Sequence, residues 1–264
     1  MELLRKHNKL IQNQLNKLGH QSGDEDGIIG NKTKIALNKV IEIPSDWSFK
    51  KKAIGFIQLQ CHANGIDAGS IDGYWGPQTD YAFEVLKEFV ETGIMPIPWR
   101  DILPLDVNPN NWPLQNQTDL INFYGDMGKN QKRLQLPYPH RLSWDKRKTI
   151  NSFYCNEKVY DSLNKVLVKV LNHYGMDDIK RLRLDLWGGC LNVRLMRGGT
   201  EWSTHSWGIA LDYDPENNRL KWGRDKASFA KPEYDKWWEF WEKEGWTSLG
   251  RTKNYDWMHV QALK

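Results

Sequence analysis

The sequence predicts an α+β protein in two parts: an all-helical N-terminal region, then a C-terminal region that combines helices with strands. Three observations carry that expectation. A motif beginning Asp-Gly occurs twice near the N-terminus, each time flanked by apolar residues at three- and four-residue spacing. A stretch rich in Pro, Asn, Gly and Trp then interrupts the pattern between about Thr92 and Pro139. Beyond it, helical spacing gives way to RLRLDLWGG, which alternates as a strand does. A length of 264 residues leaves room for two modest domains.

The repeat is DGIIGNKTKIAL, Asp26 to Leu37, echoed in register by DGYWGPQTDYAF, Asp72 to Phe83. Asp-Gly marks a turn, and the second glycine permits close backbone approach or positive φ. Thr33 and Thr79 stand where helix N-caps are expected. Upstream, LIQNQLNKLG and AIGFIQLQCHANG have helical periodicity. Each copy, about residues 8–40 and 52–90, therefore reads as helix, loop, helix, within a first domain of residues 1–91. Residues 92–130 read as a linker with one short helical candidate near TDLINFYG. The second domain spans 131–264. It opens with KTINSFYCNEKVYDSLNKVLVKVLNHYG, a helical pattern ending at Gly175, before the alternating segment.

With 39% hydrophobic and 27% charged residues the chain has the material for packed cores, so intrinsic disorder is not expected. The net charge of +4 is small, and its basic residues are interleaved with acids. Nucleic acid is thus not an expected partner, although a mild positive excess favours approach to an anionic polymer. Cys61, Cys155 and Cys190 are scattered and form no CxxC pair, which argues for reduced thiols over a disulfide framework. The N-terminal MELLRKHNKLIQNQLNK has neither the apolar core of a signal peptide nor the length of a membrane span. A monomer made in the cytoplasm, without membrane insertion, is expected.

The densest chemistry lies in STHSWGIALDYD, Ser203 to Asp214, and in DWMHV, Asp256 to Val260. A catalytic zinc takes about three protein ligands from His nitrogen or carboxylate oxygen and leaves a position open for water. His205, Asp212 and His259 meet that requirement. The step from His205 to Asp212 allows one ligand from a loop and one from a strand, with little bulk at Gly208 and Ala210 between them. Asp256, three residues before His259, suits a general base. Arg194 in GGCLNVRLMRGG offers planar donors for a developing oxyanion, and Arg197 is the second candidate.

Two resemblances follow from these motifs. The pattern DG-x-x-G-x-x-T-x-x-A after a Gln- and Leu-rich helix resembles the peptidoglycan-binding domain of many cell-wall hydrolases. Gly-Gly-Cys-x-Asn-x-Arg, Ser-x-His-x-x-Gly-x-Ala-x-Asp and Asp-x-x-His, over about residues 130–264, resemble the zinc DD-peptidase and L-alanyl-D-glutamate peptidase family, the VanY-like peptidases, particularly those of phage endolysins. The second resemblance implies a compact hedgehog-type α+β domain with a small antiparallel sheet, in which His205, Asp212 and His259 hold Zn2+, Asp256 acts as base and Arg194 stabilises the transition state. Ser203 would support the loop that carries His205. The implied partner is bacterial peptidoglycan, reached from the host cytoplasm through a separate membrane lesion, with lysis of the cell as the result. The alternatives are a D-alanyl-D-alanine carboxypeptidase of the same fold and a non-catalytic zinc-containing wall-binding protein.

Among other candidates, Cys190 reads as an inert buried thiol, since a thiolate ligand would close the open metal position. His7, His20, His62, His140 and His173 lack companions at ligand spacing and read as structural. Trp237, Trp238 and Trp241 lie at helical spacing, where core packing is the default. Trp207 and Trp257, inside the metal motifs, are candidates for the walls of a substrate groove, with packing beneath the site as the competing role.

Overall fold

The computed structural model describes residues 3–96, 107–196 and 199–264. The described residues up to 96 belong to one compact unit, and those of 107–196 and 202–264 to another. Together they form a mixed helix-and-strand structure with one small sheet. Among the described residues no helix is long and apolar enough to cross a membrane.

Among its described residues the first unit has four helices: α1 (Arg5–Lys17), α2 (Asn31–Leu37), α3 (Phe49–Ala63) and α4 (Pro77–Thr92). The Ser48 hydroxyl accepts from the Lys51 amide to cap α3, and Pro77 opens α4 with its φ preset for a helix. Leu10, Ile11, Leu15, Phe56, Ile57 and Phe83 meet in the core between the helices.

The two copies share the same internal wiring. Gln12 Nε2 donates to Asp26 Oδ1 (3.0 Å) and to the Ile28 carbonyl (3.1 Å), while its Oε1 accepts from the Gly27 amide (2.7 Å). Gln58 makes the matching bonds to Asp72 Oδ1 (3.0 Å), the Tyr74 carbonyl (3.1 Å) and the Gly73 amide (2.9 Å). One buried amide thus satisfies both sides of each Asp-Gly loop. Thr33 and Thr79 are not the N-caps expected of them: Gly30 and Gly76 hold that position. Their hydroxyls are buried inside the first turn and donate back to the Ser22 and Ala68 carbonyls at 3.0 and 3.2 Å, tying the loop to the helix.

Replacing Gln58 by Leu removes the partner of both the Gly73 amide and the Tyr74 carbonyl in one place. At about 1–3 kcal/mol for a buried polar group left unsatisfied, Gln58→Leu is expected to destabilise the first unit by about 2–4 kcal/mol. Faster amide hydrogen exchange in α3 and α4 would report it. Unchanged exchange there would show that the loop is held by something else.

The second unit contains α5 (Gln117–Tyr124), β1 (Gln131–Leu142), β2 (Asp145–Asn156), α6 (Tyr160–Arg181), β3 (Leu186–Gly189), β4 (Ala210–Tyr213), α7 (Asp235–Lys243), β5 (Thr247–Ser248), α8 (Leu249–Lys253) and β6 (His259–Gln261). The strand order is β2-β1-β3-β4-β6-β5. The sheet is mixed, not purely antiparallel as expected. The chain leaves β2, crosses by α6 and returns beside β1 to enter β3, which pairs with β1 in parallel. The other neighbouring strands pair antiparallel.

Two further expectations are corrected. The helical reading of Lys148 to Asn156 gives way to β2, where Phe153 and Cys155 are buried and Tyr154 between them is exposed, a period of two. Helix α6 starts only at Tyr160 and is interrupted at Gly175, whose φ of 64° leaves the helical region at the break the sequence indicated. The described part of the expected linker, 107–130, is built into the second unit. Trp112 is buried against Trp246 with ring centroids 6.2 Å apart, and the Tyr124 hydroxyl donates to the Ala262 carbonyl at 2.6 Å. Its aromatic residues supply core, which a solvated linker has no use for. Trp237, Trp238 and Trp241 are buried on α7, as their spacing indicated.

Candidate metal centre

The site is assembled from two adjacent strands and one loop. In the β4–β6 pairing Asp212 lies directly opposite His259, so their side chains project from the same face. His205 comes from a short 3-10 turn, Thr204–Trp207, that runs into β4 through Gly208. Gly208 has φ 69°, and a Cβ there would press on the Gln131 side chain and come within 3.1 Å of the Asn156 amide. The chain can reverse at this point only as glycine. Gly188 on β3 is constrained from the other side, since an added Cβ would lie 2.9 Å from that of Asp212.

Each of the three residues offers one ligand atom, and these atoms all lie within 4.8 Å of one another. His205 Nε2 is 3.4 Å from Asp212 Oδ1, and His259 Nδ1 is 2.9 Å from the same oxygen. The spacing suits a shared ion bound at about 2.0–2.2 Å by nitrogen and oxygen. His205 Nδ1 is 2.7 Å from the Cys190 carbonyl, which accepts its proton and leaves the Nε2 lone pair for a ligand. His259 uses the opposite nitrogen: Nδ1 faces Asp212, and Nε2 is 3.2 Å from Gln261 Oε1. This buried group could hold a metal ion.

The electrostatics agree with a cation site. Burial opposes the charge of Asp212, but the adjoining His205 and His259 imidazoles outweigh it and hold the carboxyl well below its ordinary range. Burial likewise opposes the charged form of His259. The hydrogen bond and charge of Asp212, joined by the charge of Asp256, nevertheless raise its pKa.

Asp256 is mostly buried and lies in the turn that leads into β6. Its φ of 53° is left-handed, its amide donates to the Leu220 carbonyl and its own carbonyl accepts from the His259 amide, each at 3.0 Å. A non-glycine residue held at positive φ by bonds on both sides is local strain of the kind that collects at functional sites.

The remaining candidates fare differently. Ser203 supports the His205 turn through its backbone, accepting from Ser206 N at 2.8 Å and donating to the Arg194 carbonyl at 3.0 Å, with no side-chain cap. The Arg194 amide is tied to Ser206 Oγ at 3.1 Å, and its guanidinium donates to the Leu195 carbonyl at 3.1 Å. That bond occupies one of the five guanidinium N–H donors. Arg197 lies outside the described residues.

Trp207 and Trp257 are fully buried, so they pack beneath the site and do not wall a groove. The Trp207 indole N–H donates to the Gly125 carbonyl at 2.9 Å, anchoring the ligand turn to the segment before β1. A buried indole with its one donor satisfied is a core residue. Cys190 is buried, and that burial pushes its thiol well above the usual range. His140 is buried too, held near neutrality by desolvation with a pKa of about 4, and Nε2 meets the Tyr213 hydroxyl at 3.0 Å.

Sequence reasoning missed Ser206, Gln261 and Gln115. Gln261 carried a signal: two residues beyond His259 on one strand, it had to share that residue's face. No family model, no curated protein and no solved structure matches this chain, and the functional reading rests on its own residues and their geometry.

Proposed function

We propose that this chain is a zinc-dependent peptidoglycan hydrolase of the endolysin type, whose second unit cuts an amide bond of the peptide stem while the first holds the wall. The carrying observation is the convergence of His205, Asp212 and His259 on one point, with the charge of Asp256 felt at the same imidazole. Two imidazoles and one carboxylate are a donor set that suits zinc and leaves room for a substrate oxygen. When bound, zinc supplies a Lewis acid that acidifies water to a pKa of about 7 and polarises the scissile carbonyl.

The chain's own residues do the rest. Asp212 and His259 are locked opposite each other by strand register, so the ligand set is formed before substrate arrives. Asp256 takes the proton of the attacking water on its carboxylate and returns it to the leaving amine. The paired Asp-Gly loops of the first unit, which resemble wall-binding repeats, would tether the enzyme to an insoluble polymer and raise its local concentration there. L-alanyl-D-glutamate is the proposed bond.

Purified peptidoglycan should yield new stem-peptide termini by mass spectrometry, with loss of activity on chelation and recovery on adding zinc. Release of free D-alanine alone would overturn the endopeptidase reading in favour of a carboxypeptidase. Digestion that ignores the chelator would remove the metal from the mechanism, and binding to the wall without any digestion would make this a binding protein.

A further inference from the structure

We infer that Gln261, itself oriented by Gln115, is a positioning residue that fixes which nitrogen of His259 is offered to the metal. The inference rests on the metal reading above and concerns a pair of residues outside the ligand set. Gln261 is buried, with Oε1 3.2 Å from His259 Nε2 and Nε2 donating to Gln115 Oε1 at 3.1 Å. A carboxamide oxygen only accepts, so the Nε2 it faces must carry a proton. Nδ1 faces Asp212 Oδ1 at 2.9 Å, so with a metal ion shared between these two atoms Nδ1 is the nitrogen that would give its lone pair.

A primary amide can turn over, exchanging its oxygen for an NH2 of nearly the same shape. The NH2 would place a donor against Nε2 and favour the wrong tautomer. Gln115 Oε1 accepts from the Gln261 NH2 at 3.1 Å, which favours the orientation that turns the Gln261 oxygen toward the ring. Gln115 immediately precedes Asn116, whose side chain caps α5, so its position is set by a helix start. The segment that reads in sequence as a linker thus delivers a residue that sets the chemistry of a metal ligand two contacts away.

His205 is handled by other means. There the backbone carbonyl of Cys190 does the orienting, and a carbonyl has no donor to turn toward the ring. Of the two imidazoles, His259 is the one whose orienting acceptor, among the described residues, comes from a side chain.

The test measures zinc affinity by competition with a chromogenic chelator, alongside proton NMR of the zinc-loaded full-length chain. Gln261→Met keeps the size and removes the acceptor, and it should weaken zinc binding by about 10–100-fold, the usual effect of losing such an outer partner. Gln261→Glu keeps an acceptor and should bind zinc at least as well as the wild type. Gln115→Met should weaken binding by a smaller factor. In the wild type and Gln261→Glu, the His259 Nε2–H should give a downfield resonance protected from exchange. In Gln261→Met it should broaden or move upfield.

Wild-type affinity together with an unchanged resonance in Gln261→Met would overturn the inference and leave the metal site standing. Equal losses in Gln261→Met and Gln261→Glu would overturn it as well, since they would point to packing. A wild type that takes up no zinc would overturn the metal site and this inference with it.

Discussion

Asp256→Asn should lower hydrolysis of stem-peptide amides by about a hundred- to ten-thousand-fold, the span typical of a lost general base, while zinc uptake stays close to that of the wild type. Asparagine is the informative substitution because of the backbone. At φ 53° a residue is left-handed, which asparagine tolerates and alanine does not. Asp256→Ala would mix a stability loss of about 1 kcal/mol with the chemical effect. Measured kcat should carry the loss, with KM little changed, since the proposed role of the carboxylate is on the attacking water and not in substrate binding. Wild-type turnover in Asp256→Asn would remove the base and, with it, the reading of this site as catalytic.

Trp241→Ala should destabilise the second unit by about 3–5 kcal/mol, the range for truncating a buried large aromatic side chain. Trp241 is fully buried, with ring centroids 5.1 Å from Trp246, 5.4 Å from Trp237 and 6.2 Å from Tyr213. Tyr213 follows Asp212 on β4, so the aromatic cluster is the packing behind the ligand strand. The urea midpoint of the second unit, followed by circular dichroism, should fall, and added zinc should recover part of the loss because the proposed ligand set is assembled only in the folded form. Trp241→Phe should lose far less. A small shift for Trp241→Ala would mean that the cluster collapses onto the gap.

The parts of this molecule that the sequence makes legible are those set by local chemistry. Residues 26–37 and 72–83 show their shared loop because turn, glycine and helix signals sit at the same offsets. His205, Asp212 and His259 stand out because ligand chemistry restricts the residue types, and the structure does bring them together. The misreadings come from tertiary context. The hairpin of β1 and β2 is hidden because Lys, Arg and Asn on its exposed positions blur the alternation that Phe153 and Cys155 keep. Residues 107–130 look like a linker because Pro and Asn are plentiful, yet Trp112, Leu120 and Tyr124 among them are buried. Thr33 and Thr79 have the chemistry of caps, but the preceding glycines reach that position first. Gln115 could not be found at all from spacing, since its partner Gln261 is on the last strand.

The paired glutamines of the first unit have a consequence for how its two halves can diverge. Gln12 and Gln58 hold their loops by contacts that face inward, whereas the residues after the Asp-Gly turns, Ile28 and Tyr74, point into solvent and already differ. Lys51 lies over the Tyr74 ring at 4.9 Å and over Trp47 at 4.3 Å, giving the second half an aromatic and cationic exterior around the same scaffold. Shape is encoded in the interior of each copy and surface character in its exterior, so mutation can rewrite the outer face of one half without disturbing the loop beneath it. A duplicated module built this way keeps one architecture and has two independently adjustable faces.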